Sequence, residues 1–231
     1  MTPGLTSEAE VEGAAAWRER SVERSLREHR ARALTRSDQF LRAARALLSE
    51  TGGVDFTVQE VVTRAGLSLR SFYQHFASKD ELMLALFEDV IGRYVETLRQ
   101  RVGQYADPVE QLRALVTDLY RTADAVGTAG NLFPRALTLY HQRLAGTQPA
   151  EVARALDPQV RLVREIIEAG AAAGRFRADV GAEQLATIVN QTLIGVGHMN
   201  VLGTHVTGVK VDIDELWAFC LAGVRPVEHA R

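Results

Sequence analysis

Apolar residues recur at three- and four-residue intervals along most of this chain, and no two alternating runs flank an Asn-Gly or Asp-Gly turn. That pattern predicts helices packed on one face, an all-α fold. The first broad stripe, Phe40, Leu41, Ala44, Leu47 and Leu48, predicts a helix from about Arg36 to Thr51, stopped by Gly52-Gly53. Thr57 opens T-V-Q-E, a capping box closed by Glu60, and Val58, Val61, Val62 and Ala65 supply the buried side of that helix. Gly66 breaks it, and Ser68 begins a piece of only two turns that reaches about His75. Ser78 opens S-K-D-E, a second capping box with Glu81, and Leu82, Leu86, Val90, Tyr94 and Leu98 carry a long helix to about Val102. Further helices are predicted at 108–126, 131–145, 149–173, 181–203 and 212–224. Their breaks fall at Asp107-Pro108, Gly127 to Gly130, Gly146 to Pro149, Gly174 and Gly208. Pro134 suits a first turn, whereas Pro158 should kink or divide its helix.

The two-turn piece is too short to be stable alone in water. Three short helices sharing Phe40, Leu47, Val61, Ala65, Leu67, Phe72 and Phe76 as one small core would hold it, and the Gly66 turn is the connection of a helix-turn-helix. With Phe72 inward, the neighbouring polar side chains are left for a ligand, and a DNA major groove admits one helix. Arg70 has the fork for guanine, Gln74 suits adenine and Leu69 a thymine methyl. Tyr73 and Ser71 suit phosphate oxygens, and His75 is ambiguous between a phosphate contact and a half-buried position. Lys79, a cation in a first helical turn, opposes the helix dipole and makes sense if a phosphate approaches.

Charge fits this picture only after the chain is divided. The net charge is −2, yet residues 18–80 carry +4, flanked by −3 on each side. Between Trp17 and Arg32 only Val22 and Leu26 interrupt a run rich in Arg, Glu and Ala, so this is a solvated helix or a flexible arm. An arm from Arg18 to Arg36 could add phosphate or minor-groove contacts, or have no DNA role. A single cysteine, Cys220, no charged-then-apolar leader and no run near ~18 apolar residues suggest a cytoplasmic chain without a membrane span. His141, His198 and His205 lack metal-ligand spacing, and no phosphate-binding glycine loop or G-x-S-x-G elbow is present. Neither an enzyme nor a cofactor is expected.

The stretch TVQEVVTRAGLSLRSFYQHFASKDEL resembles the DNA-binding signature of TetR-family transcriptional repressors. Thr57, Val61, Ala65, Gly66, Leu67, Ser68, Tyr73, His75, Phe76, Lys79, Asp80 and Leu82 match the family pattern, while Val62 stands where the family usually has Ala. The match runs over about 50 residues, Arg36 to Leu86. It implies DNA contacts from Thr57, Ser68, Leu69, Arg70, Ser71, Tyr73, Gln74, His75 and Lys79. It also implies a homodimer on a near-palindromic double-stranded operator, with half-sites ~34–36 Å apart. The implied organisation is an extension over 1–34, a helix-turn-helix domain over 35–80, and a ligand-binding and dimerisation domain over 81–231. The helices at 181–203 and 212–224 would pair with their mates. Gly195, Gly197 and Gly203 could permit close approach there, and Trp217, Phe219 and Leu221 either join that interface or close the protomer's own core.

A pocket between helices should be apolar with a few polar groups. Leu98, Leu115, Leu119, Phe133, Leu137, Tyr140, His141, Ile166, Val189, Asn190, Gln191, Thr192, His198 and Met199 are the residues expected to line it. Few charges interrupt these faces, which points to a largely hydrophobic small effector. Two other readings stay open: a helical ligand-binding protein with a vestigial helix-turn-helix, and a non-specific architectural DNA binder.

Overall fold

The computed structural model describes residues 33–124, 132–205 and 208–226. Most of the N-terminal extension, with its Arg-rich segment, lies outside the described residues, as do the breaks predicted at Gly127 to Gly130. Among the described residues the chain is helical throughout, in the order α1 (33–51), α2 (Val58–Ala65), α3 (Leu69–Tyr73), α4 (Lys79–Val102), α5 (Pro108–Asp124), α6 (Phe133–Thr147), α7 (Pro149–Ala172), α8 (Ala182–Leu202) and α9 (Ile213–Val224).

Local chemistry sets these boundaries. At Gly52 the chain takes φ 63°, and a built Cβ would lie 2.9 Å from the Leu132 Cβ, so the end of α1 and the approach to α6 both require glycine. Thr57 and Glu60 close their capping box reciprocally, and Gly66 at φ 67° ends α2. Ser78 caps α4 through the Glu81 N–H, but the Glu81 carboxylate reaches back to the Ala77 N–H, so the predicted second box is only half formed. Pro134 stands in the first turn of α6. Pro158 lies inside α7 without dividing it. That helix is held by packing on α8 and α4, with Val152, Ala155, Leu162, Val163, Ile166 and Ile167 all buried, which offsets a missing backbone bond.

Two apolar clusters organise the molecule. The first contains Phe40, Leu47, Leu48, Val61, Phe72 and Phe76 from the N-terminal helices, but also Leu82, Met83 and Leu86 of α4 and Phe133, Ala136, Tyr140 and Leu144 of α6. The second is built from the rest of α4 and from α5, α7, α8 and α9, around Leu98, Leu115, Val163, Ile167 and Val189. α4 therefore runs through both clusters, and α6 docks a face of the C-terminal region onto the N-terminal one. Trp217 and Leu221 of α9 pack on the second cluster, whereas Phe219 points outward with 65% of its surface exposed.

Candidate nucleic-acid interface and effector cavity

The five-residue α3 is fixed from below. Phe72 is fully buried and meets the Phe40 ring edge-on at 5.4 Å, and Phe76 stands 6.1 Å from the same ring. Burying one such side chain is worth ~1.5–3 kcal/mol, enough to place a piece that could not fold alone. Ser68 caps it by accepting from the Ser71 N–H at 3.1 Å. α2 is braced against α1 by a two-pronged ion pair, Arg64 Nη1 and Nη2 to the Glu50 carboxylate at 2.6 and 2.7 Å.

With Phe72 inward, Leu69, Arg70, Tyr73 and Gln74 are exposed, Tyr73 and Leu69 by 56% and 43% of their surface. Thr57 and Ser68 are also at the surface, although each hydroxyl already serves a helix cap. His75 is half-buried, its Nδ1 3.4 Å from the Ser37 hydroxyl of α1. Two expectations need correction. Ser71 is buried, with 7% of the residue exposed and its Oγ out of reach of solvent, so it faces inward and not toward a phosphate. Lys79 donates to the carbonyls of Val54 and Phe56 and sits 4.2 Å over the Phe56 ring. Its place in the first turn is thus explained by carbonyls inside the protein, and partial burial lowers its pKa.

Between the N-terminal cluster and the C-terminal core lies a cavity of about 190 Å³. α4 contributes Phe87, Ile91 and Tyr94; α5 contributes Leu119 and Thr122; α6 contributes Pro134, Leu137, Thr138 and His141. Leu156 and Gln159 come from α7, and Leu193 and His198 from α8. Of the residues expected from the sequence, Leu119, Leu137, His141 and His198 line it. Leu98, Leu115, Ile166 and Val189 belong instead to the second core, and Met199 packs against that core. Phe133 and Tyr140 belong to the first cluster; the Arg45 guanidinium lies 4.7 Å over the Phe133 ring, and the Tyr140 hydroxyl donates to Asp80. Asn190 is buried against Gln159, Thr192 donates to the Ile188 carbonyl, and Gln191 is exposed. Phe87 and Ile91, from the middle of α4, are not among the residues expected from the sequence.

The polar groups of the cavity are mostly committed. The Tyr94 hydroxyl donates to Asp118 at 2.9 Å, and burial pushes its pKa up. Gln159 Nε2 donates to Asn190 Oδ1 at 2.6 Å. His141 Nδ1 and His198 Nε2 lie 3.1 Å apart, and the His141 ring stacks on Phe87 at 5.2 Å with planes 9° apart. Burial, reinforced by His198, holds His141 down to about 4, and burial lowers His198 as well. Among the described residues no Asp, Glu, Lys or Arg lines the cavity, and no group of three or more His, Cys, Asp or Glu is placed to hold a metal.

Residues 40–86, the N-terminal helices and the start of α4, match the family of bacterial regulatory proteins, tetR family. The HTH-type transcriptional repressor KstR2 of Rhodococcus jostii (strain RHA1) is 29% identical over 153 residues, 64% of this chain and 71% of that protein. The HTH-type transcriptional repressor NicS of Pseudomonas putida is 28% identical over 146 residues, 62% of this chain and 66% of that protein. Among solved structures, the transcriptional regulator FadR from Bacillus subtilis in complex with stearoyl-CoA superposes with a TM-score of 0.63 at 16% identity, over 80% of this chain and 95% of that one. Residues 40–86 thus carry the DNA-binding region of the tetR family of bacterial regulatory proteins, and the relatives support a TetR-family transcriptional regulator. Its fold is the all-helical one of that family, with an N-terminal helix-turn-helix and a C-terminal helical domain. No helix among the described residues is long and apolar enough to cross a membrane.

Proposed function

We propose that this protein is a transcriptional repressor, not an enzyme, that binds a near-palindromic operator as a homodimer in the cytoplasm and is released by a largely hydrophobic small molecule held in the cavity. The observation that carries this reading is the α3 surface. Phe72 is locked to Phe40, while Leu69, Arg70, Tyr73 and Gln74 stand outside on a helix small enough for a major groove. Arg70 is assigned to a guanine, Leu69 and Gln74 to neighbouring bases, and Tyr73 to phosphate, with Thr57, Ser68 and His75 at the margin. The names of KstR2 and NicS as repressors support the sign of regulation, and FadR is a relative in fold that has been solved with a ligand bound.

Pairing through α8 and α9 is supported by Ile188 and Phe219, exposed by 58% and 65%, and by Gly195, where an added Cβ would meet open space. α4 contributes to both clusters and to the cavity, so it can act as the lever between effector and DNA. To invert a 99:1 population the effector need only prefer one arrangement by ~5.5 kcal/mol.

The test is selection of duplexes from a random pool by the full chain, followed by titration of the selected site against random duplex. A large preference for the selected site is expected; a ratio near one favours an architectural binder, and no binding favours a ligand-binding protein. Arg70→Ala should cost ~1–3 kcal/mol and relax preference at one base pair per half-site. Uniform weakening on every sequence would make Arg70 a phosphate anchor instead.

A further inference from the structure

The C-terminal end of α4 and the outer face of α5 form a groove of about 400 Å³, which shares no lining residue with the apolar cavity. Arg101, Tyr105, Arg113, Thr117, Asp118 and Arg121 line it. Most arginines of the C-terminal helices are spent on carboxylates, Arg99 on Glu165, Arg164 on Glu183 and Arg175 on Asp107. Arg113 and Arg121 are exposed, and among the described residues neither meets an acceptor. They stand two turns apart on α5, about 12 Å along its axis, so their long stems can bring both guanidinium groups over Thr117 between them.

Arg101 joins them from α4. Its Nη1 donates to the mostly buried Asp118 carboxylate, which also accepts from the Tyr94 hydroxyl at 2.9 Å. That pair fixes the guanidinium and leaves Nε and Nη2 unspent. With Asp118 neutralised by Arg101, the two free arginines outweigh Glu110, the other acid of the groove. A cleft with an excess of one sign concentrates ions of the opposite sign.

The chemistry of the lining narrows the ion. A carboxylate has two oxygens and is filled by one arginine fork, whereas a phosphate has three and up to two charges, and can take two forks at once. The groove is also longer than a bare phosphate needs, and Tyr105, with 46% of its surface exposed, forms its wall just beyond α4. An exposed aromatic face beside arginines suits a planar ring carried by the same molecule. DNA seated on α3 does not reach this place. α4 has 24 residues, so it spans about 36 Å, and the groove lies at the end opposite α3.

We propose that this groove binds a small phosphate ester with a planar aromatic part, the chemistry of a nucleotide. Arg113 and Arg121 take the phosphate, Arg101 closes one side, and the ring lies on Tyr105.

The experiment measures binding of ADP, adenosine and inorganic phosphate to the full chain by calorimetry at neutral pH and about 0.15 M salt. ADP should saturate the protein below ~1 mM and bind at least about tenfold tighter than either fragment. Arg113→Gln and Arg121→Gln should each weaken ADP by about tenfold, the effect of losing one charge-assisted contact. Tyr105→Ala should weaken it severalfold and Tyr105→Phe should not, because only the ring is used. Unchanged melting of these surface variants shows that they fold. The proposal is overturned if ADP does not bind saturably, or if adenosine or phosphate alone binds as tightly. ADP affinity indifferent to both arginine variants overturns it as well, because the nucleotide is then held elsewhere.

Discussion

A cation in the first turn of a helix is unfavourable by the dipole alone, and Lys79 is kept there by two carbonyls that the turn between α1 and α2 leaves without helical partners. Removing its ammonium should therefore act on folding before it acts on DNA. Lys79→Ala is expected to lower unfolding free energy by ~1–2 kcal/mol in urea, since two carbonyls lose their donor in a partly solvated place. The dependence of operator affinity on salt should keep its slope; a slope reduced by about one would return Lys79 to the phosphate contacts. His141 makes a second prediction at this scale. Its folded pKa, about 4, lies below the ordinary histidine value, so the unfolded chain binds more protons between about 6.5 and 4. Its contribution is complete above the unfolded value and is lost as pH falls toward the folded one. After allowance for partial exposure this is ~1–2 kcal/mol. Urea titrations at pH 7 and pH 4.5 should show His141→Gln losing less stability on acidification than the parent. An equal loss in both proteins would mean that His141 is solvated.

Elements differ in how much of their placement is local. Thr57, Gly66 and Ser68 each act on a backbone partner no more than four residues away, so the helix-turn-helix and its outward face could be read from the chain. The cavity could not, because it is assembled from one face of each of five helices, and the rotation of those faces is a tertiary fact. Leu115 and Leu119 stand one helical turn apart on α5, yet one is sealed in the core and the other lines the cavity. Ser71 misleads in the same way: a polar residue beside exposed Arg70 suits the surface, and packing puts it inside. α6 shows what tertiary placement adds. One of its faces, with Phe133, Ala136, Tyr140 and Leu144, completes the N-terminal cluster, and the other carries Leu137, Thr138 and His141 to the cavity. The Tyr140 hydroxyl donates to Asp80 in the first turn of α4, and Arg143 lies 3.7 Å from the same carboxylate. Any shift of α6 caused by an occupant of the cavity is thus passed to the start of α4, next to Lys79. Coupling of this kind is typically worth ~1–3 kcal/mol, and Tyr140→Phe should reduce it while leaving the aromatic packing intact. In a gel-shift titration, Tyr140→Phe should bind operator within a few-fold of the parent but need more ligand for release. Unchanged release at every ligand concentration would remove this contact from the coupling.

For the whole molecule, the two halves of the proposed activity meet only in a pair of protomers. One α3 exposes Leu69, Arg70, Tyr73 and Gln74, which in the proposed complex would serve a single half-site. Binding energy from a second half-site is added without a second loss of translational freedom only if the partner protomer is already joined. The surface available for joining is the outer side of α8 and α9, where Ile188 and Phe219 are exposed large apolar side chains and Gly195 leaves the backbone open. On their inner sides the same helices are anchored by Leu185, Val189, Leu193, Leu216 and Cys220, so changes outside need not disturb the fold. Ile188→Glu combined with Phe219→Asp would place four like charges on the proposed two-fold interface, which cannot be buried without pairing. The double variant should sediment as a monomer with unchanged helical circular dichroism and should lose operator binding by at least about a hundredfold, ~2.7 kcal/mol. A double variant that remains dimeric would place the contact elsewhere. A monomer that still holds the operator at parental affinity would show that one α3 suffices, and the near-palindrome would then be unnecessary to recognition.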